Sequence, residues 1–464
     1  MIRIRDEIKP ADLGPALRRF WELSARKIDA FARRLKPGDG SPVFTIEGRY
    51  FSRAWTDWTD GFVHGSPLIQ FDATGEARFL EMGRAATRAR MLNHVTHFGV
   101  HDHGFNNVST FGNLWRLMNE GRLAENEWER GYYELALRAS GAVQARRWTT
   151  IQGGGFIHSF NGSQSLFADT MRSLRSLALA HRFGQVLCGE QDVRISLLRR
   201  LVEHASATAK FSVYYGEGRD HYDVRGRVAH ESIFNVEGGS YRCPSTQQGY
   251  SPFSTWTRAL AWVLLGFAEQ LEFLDTCADE ELAPIGGRAR IHGTMLKAAR
   301  ATADYYLESS PCDGIPYWDT GAPGLRELGD HRGRPADPFN ALEPVDSSAA
   351  TIACQGLMRL GRHLSGRDGD RSGREDQESG RKYVQAGLTV LAALLEEPYL
   401  SIDPGHEGLI LHAVYHRPND WDHRPQGSAV PRGESCIFGD YHAREAALYV
   451  QRWIDAKAEL KFFG

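Results

Sequence analysis

The sequence predicts an all-α protein, an α/α toroid of six consecutive helical hairpins with long rim loops, and three observations predict it. Apolar residues recur at helical spacing in twelve segments, strand signal between them is weak, and polar clusters fall on every second segment. In such a toroid each odd helix lies outside and each even helix inside, so the starts of the even helices gather near one mouth. The whole chain, 1–464, reads as a single domain of this kind.

The first helix runs from about 12 to 35, with Leu13, Leu17, Phe20, Trp21, Ile28 and Phe31 on one face. A second begins near Trp58 and Thr59, a third covers 74–95, and a fourth follows Asp102 through Phe111, Leu114 and Leu117. Further helical patterns cover 126–145, 165–182, 190–210, 254–275, 288–309, 346–364, 375–397 and 437–457. Trp58 starts the second, Asp102 precedes the fourth, Asp169 lies in the sixth, Arg258 and Trp262 in the eighth, and Asp346 and Asp440 open the tenth and twelfth. The irregular stretches 216–253, 311–345 and 400–436 carry aromatics, histidines and prolines, the composition of ordered rim loops. By contrast, 365–382 is charged, contains glycine and nearly lacks apolar side chains, which predicts a surface loop.

A chain of 464 residues that is 42% hydrophobic and 24% charged can bury a large core. A net charge of -3 and a pI of about 6.7 exclude the basic footprint of a nucleic-acid binder. The content of Trp 11, Tyr 16, Phe 23 and Gly 48 suits a pocket that stacks on sugar faces between tight turns. Six scattered cysteines form no Cys-x-x-Cys pair, which points to reduced thiols rather than a zinc knuckle or disulfide scaffold. No signal peptide precedes the charged stretch from Arg3 to Lys9, and no run approaches the length of a spanning helix, so a cytoplasmic protein without membrane contact is expected. No motif specifies an oligomeric state.

Candidate chemistry centres on His101-Asp102-His103-Gly104-Phe105. Asp102 reads either as a helix N-cap or as one of two acids lining a sugar pocket. His101 and His103 admit a metal reading, but no second cluster of ligands accompanies them, so neither metal nor cofactor is expected. Asp169 interrupts the apolar spacing of Leu166, Phe167, Met171, Leu174 and Leu177. It is either on a solvated face or a pocket acid, and in a pocket its pKa would be raised. Ser254 or Thr255 reads as the N-cap of the eighth helix. Arg258 and Trp262, four residues apart, share a face, either as a cation-π pair or as a carboxylate-binding arginine beside a stacking tryptophan. Asp346 and Asp440 read first as helix-start signals. Gly153-Gly154-Gly155 lacks the lysine and helix of a phosphate loop.

These residues resemble the unsaturated glucuronyl hydrolases, glycoside hydrolase family 88. The resemblance runs from Trp58-Thr59-Asp60-Gly61-Phe62 through the Asp102 and Asp169 segments to the Gln248–Trp262 run. It continues in Gly314-Ile315-Pro316-Tyr317-Trp318-Asp319, Asp346-Ser347-Ser348-Ala349-Ala350, His412-Ala413-Val414-Tyr415-His416 and Phe438-Gly439-Asp440-Tyr441. It implies an α/α toroid that acts on oligosaccharides left by polysaccharide lyases, which carry a 4,5-unsaturated uronic acid at the non-reducing end. Under it, Asp169 matches the general acid and base and Asp102 the partner acid. Trp58, His230, Gln248, Arg258 and Trp262 match residues that hold the uronate.

In the reaction so implied, a protonated carboxyl delivers a proton to C4 of the C4=C5 vinyl ether while positive charge develops at C5. Water then attacks C5, and the resulting hemiketal rearranges and expels the rest of the sugar chain. The separation rule for retaining and inverting glycosidases does not apply, because no anomeric displacement occurs. Arg172, Ser173 and Arg175 depart from the more apolar sequence expected after the acid, and the loop 417–433, with Arg417, His423, Arg424 and Arg432, is either a sulfate-recognising or a solvated basic loop. The rival readings are an ordinary acid/base glycosidase, a polysaccharide lyase on the same fold, and a non-catalytic carbohydrate-binding toroid in which both acids cap helices.

Overall fold

A computed structural model describes residues 1–36, 38–53, 57–366 and 373–463. Its principal helices are α1 (Gly14–Arg34), α2 (Asp60–Thr74), α3 (Ala77–Arg90), α4, α5 (Glu127–Arg146), α6, α7 (Leu197–Phe211), α8 (Thr257–Leu274), α9 (Arg288–Ser309), α10 (Ser347–Ser365), α11 (Arg374–Leu394) and α12 (Ile437–Ile454). Two are composite: α4 joins His103–Asn106, Val108–Gly112 and Asn113–Asn119, and α6 joins Thr170–Ser173 and Arg175–Arg182.

The even helices touch one another in a closed ring, α2 on α4, then α6, α8, α10, α12 and back to α2. The odd helices back them from outside, with α1 and α3 on α2, α5 and α7 on α6, α9 on α8, and α11 on α10. The burial follows from this position. Helix α1 buries one stripe, Leu17, Phe20, Trp21, Ser24, Lys27, Ile28 and Phe31, at the spacing of an amphipathic helix. Helix α8 has neighbours on every side, and every residue from Thr257 to Leu274 is buried.

Close approach between inner helices requires glycine at Gly104, where a Cβ would overlap the carbonyl oxygen of Ser173. The contact joins the first turns of α4 and α6: the Gly104 amide donates to Ser173 Oγ at 2.9 Å, and that hydroxyl donates to the His101 carbonyl at 2.7 Å.

Away from the mouth the ring is filled by ion pairs. Arg172 reaches Glu269 at 2.6 Å and Glu445 at 2.7 Å, and Arg359 reaches Glu272 at 2.8 Å, all buried. Hence Arg172 and Arg175 stand where an apolar sequence was expected: they face acids of α8 and α12 across the axis. The C-terminal segment packs across this end. The Leu460 carbonyl accepts from Arg359 at 2.8 Å, Phe462 lies 4.9 Å under the Arg175 guanidinium, and Phe463 meets the Phe273 ring at a tilt, 5.4 Å between centroids.

Three sequence expectations are corrected. Residues Ser165–Phe167 are a strand, not helix, because they pair antiparallel with Glu231–Phe234, which pairs in turn with Tyr241–Ser245. Tertiary pairing overrides the helical spacing there, and it also orders part of the 216–253 stretch expected to be irregular. Of the predicted loop 365–382, residues 367–372 lie outside the described residues, and 374–382 belong to α11. No helix among the described residues is long and apolar enough to cross a membrane.

Candidate active site

Every even helix begins at the same mouth, where a cavity of about 880 Å3 opens to the outside. Trp58, Asp102, Asp169, Gln248, Arg258 and Trp262 all line it. His230 does not. It stands behind the lining, its ring 4.5 Å from Phe167 and 4.8 Å from Trp256, with Nδ1 accepting the Gln247 amide at 3.2 Å.

Asp102 occupies the N-cap position of α4 and Asp169 that of α6, yet neither side chain accepts a capping hydrogen bond. The capping reading therefore fails for both. Asp169 reaches its place through the strand that precedes it, so it sits in a turn from sheet to helix and not mid-helix as the apolar spacing suggested. Both carboxyls approach one imidazole: His101 Nε2 is 3.6 Å from Asp102 Oδ1 and 4.0 Å from Asp169 Oδ1.

Burial raises both acids. The Asp102 carboxyl is pushed well above the ordinary range by desolvation and then by the charge of Asp169. Asp169 rises to about 7 by burial, held back by nearby backbone N–H groups and by Arg258. The pair thus carries a proton at neutral pH, which is what proton donation requires. His101 is neutral, because burial drives its pKa well down.

His103, the other half of the His-x-His pair, is engaged elsewhere, with Nδ1 bonded to Ser140 Oγ at 2.9 Å and Nε2 to the His97 carbonyl at 3.0 Å. The two imidazoles do not converge as ligands.

Arg258 is held from several sides. Its terminal nitrogens donate to Asp346 Oδ2 at 2.9 Å, to the Val414 carbonyl, to Gln248 Oε1 at 3.3 Å and to the Tyr415 carbonyl at 2.6 Å. The guanidinium lies over Trp256 at 4.5 Å and Phe438 at 4.6 Å, not over Trp262. Trp262 instead packs on Phe105 and His442, 4.8 Å from each. The N-cap of α8 is Trp256, not Ser254 or Thr255, because Thr255 Oγ1 is bonded to the Val228 backbone. Asp346 does cap α10, accepting from Ser348 N at 3.1 Å. Asp440 lies inside the first turn of α12, where it accepts the amides of Leu409 and Ile410 at 2.8 Å each and so fixes the rim loop.

One wall is aromatic: Trp58 stacks on Phe438 at 5.4 Å and Tyr415 at 6.4 Å, and Tyr415 lies 5.9 Å from Trp421. Tyr415, His416 and Trp421 were not singled out from the sequence as site residues, and neither were His101 and Phe160, although all five line the cavity. The available signal was the aromatic and histidine content of the 400–436 loop. The basic residues of that loop do not face the cavity; Arg417 and Arg424 both pair with the exposed Asp420.

No family model matches the chain. The unsaturated glucuronyl hydrolase of Bacillus sp. (strain GL1) is 26% identical over 438 residues, 93% of this chain and 95% of that protein. The unsaturated chondroitin disaccharide hydrolase of Streptococcus pyogenes serotype M1 is 25% identical over 411 residues, 87% and 84% of the two chains. The solved structure of the Bacillus sp. GL1 unsaturated glucuronyl hydrolase aligns with a TM-score of 0.67 at 24% identity, covering 95% of this chain and 97% of that one. What the geometry defines is an α/α barrel with an acid pair in a cavity walled by aromatic rings. By sequence likeness along nearly its whole length, the chain is a homologue of the unsaturated glucuronyl hydrolases.

Proposed function

We propose that this protein removes 4,5-unsaturated uronic acid from the non-reducing end of oligosaccharides produced by polysaccharide lyases, by acid-catalysed hydration of the C4=C5 vinyl ether. The observation that carries the reading is the pair of buried acids, Asp102 and Asp169, set against one imidazole in an open, aromatic-walled cavity. The relatives' activities as unsaturated glucuronyl and chondroitin disaccharide hydrolases support it.

Protonated Asp169 gives its proton to C4 as positive charge builds at C5 and the ring oxygen. Ionised Asp102 then takes a proton from the water that attacks C5. The hemiketal opens, the glycosidic oxygen leaves with a proton, and the net change is addition of one water. Trp58 and Trp262 supply stacking walls and Gln248 a polar contact. Arg258 brings positive charge to the uronate and holds Gln248, while His230 supports Phe167 and Trp256 from behind. The starts of the inner helices add favourable dipoles for an anionic ligand. The whole chain acts as one catalytic domain, and its six unpaired cysteines suit the cytoplasm.

An ultraviolet-monitored panel of lyase products tests this, with wild type and Asp169→Asn side by side. Loss of the double-bond absorbance in wild type alone is expected. Gain of absorbance identifies a lyase, sugar release with absorbance intact an ordinary glycosidase, and binding without turnover a carbohydrate-binding protein.

A further inference from the structure

His101 is left without a role by the chemistry above. Its side chain is buried, neither ring nitrogen has a hydrogen-bond partner, and Nε2 faces Asp102 Oδ1 at 3.6 Å and Asp169 Oδ1 at 4.0 Å. Asp169 Oδ1 is likewise buried without a partner. A polar group buried this way is unfavourable by about 1–3 kcal/mol. The fold nonetheless fixes this one: Phe160 stacks on the ring at 6.0 Å, Phe167 meets it edge-on at 5.5 Å, and the His101 carbonyl accepts from Gln144 Nε2 and Ser173 Oγ, each at 2.7 Å.

The other titratable groups facing the ring are Arg147 at the end of α5, His158 on the hairpin that follows, His204 on α7 and His230 on the sheet, and each disfavours a charged imidazole. The ring therefore carries a single N–H. With Nδ1 facing no acceptor and Nε2 facing two carboxyl oxygens, the surroundings favour the Nε2–H tautomer.

This matters for where the acids keep their proton. Burial raises both acids; the charge of Asp169 presses Asp102 up and Arg147 draws it down, while backbone amides and Arg258 hold Asp169 to about 7. Burial alone does not decide which carboxyl keeps the pair's proton, and donation to C4 needs it on Asp169. A donor aimed at Asp102 favours its ionised form, and His101 Nε2 stands closer to Asp102, at 3.6 Å, than to Asp169, at 4.0 Å.

We propose that His101 is a positioning residue: its Nε2–H donates to Asp102, favours the ionised carboxylate there, and so leaves the pair's proton on Asp169. A small turn of the Asp102 carboxyl in the free protein closes the 3.6 Å separation to a hydrogen bond, which substrate then tightens. The inference rests on the hydration reading and names the group that sets its acid and base.

The test uses His101→Gln, which returns an N–H near Nε2, and His101→Leu, which removes it at similar volume. His101→Asn, too short to reach Asp102, stands in should the leucine variant fail to fold. Two readouts are taken: the pH profile of kcat/KM on an unsaturated disaccharide, and the carbon-13 titration of the two aspartate carboxyls. The glutamine variant is expected to keep most of the activity. The leucine variant should lose about 100-fold, its acidic limb should move to higher pH, and the lower apparent pKa of the pair should rise. Limbs that stay at the wild-type pH while only the rate falls, or a carboxyl titration identical to wild type, would overturn the proposal. If wild type consumes no lyase product at all, the functional reading fails by itself, and the carboxyl titration still decides whether His101 holds Asp102.

Discussion

Arg258 and Asp346 form a buried ion pair, 2.9 Å between Nη1 and Oδ2, that ties the first turn of α8 to the start of α10. The same guanidinium holds the Val414 and Tyr415 carbonyls, so one side chain joins two inner helices and the aromatic rim. Removing it strands a buried carboxylate. Arg258→Ala is expected to lose about 3–5 kcal/mol of stability, read by denaturant unfolding. Its KM should rise more than its kcat falls, because ground state and transition state both carry the uronate charge. An unchanged KM would dismiss Arg258 from substrate binding.

Asp169 gives a pH signature. Its carboxyl, ordinarily near 4, titrates at about 7 in the fold. The folded state therefore binds this proton more tightly than the unfolded chain does. Stability contributed by the group is full below about pH 4, declines as pH rises to about 7, and is level above that. Asp169→Asn should raise Tm relative to wild type at pH 8 and change it little at pH 4. Wild-type kcat/KM should fall above about pH 7 as the donor ionises.

The same substitution should lower kcat by about 1000-fold with near-UV circular dichroism unchanged, the scale of a lost general acid. Full activity in Asp169→Asn would remove it from the chemistry.

Gly104 sets how closely the two acid-bearing turns approach. Because a Cβ there meets the Ser173 carbonyl, Gly104→Ala must push α4 from α6 and part Asp102 from Asp169. Overpacking of this kind costs about 1–3 kcal/mol. The variant should lose activity at temperatures where it is still fully folded, measured by turnover beside thermal unfolding.

Much of this was legible in the sequence, for identifiable reasons. Most inner helices carry long apolar runs separated by turn residues, so their number and order follow from periodicity; Asp102 stands out between two histidines, and Asp169 as an acid among apolar neighbours. Ser165–Phe167 misled because three residues carry too little pattern to override the helix after them, and the strand exists only through pairing with Glu231–Phe234. The partner of Arg258 was misjudged for a related reason. Trp262 is its neighbour along the helix, but Trp256 and Phe438, contributed by the chain before the helix and by α12, are its neighbours in space. Trp421 and His416 come from a loop whose course no local spacing encodes.

The packing of Phe462 and Phe463 across the far end makes the barrel a cup, not a tunnel. Under the proposed function a sugar chain cannot thread through it, one terminal sugar at a time reaches the acids, and what enters leaves by the same mouth. It follows from that reading that the freed monosaccharide would lie beneath the shortened oligomer and leave after it.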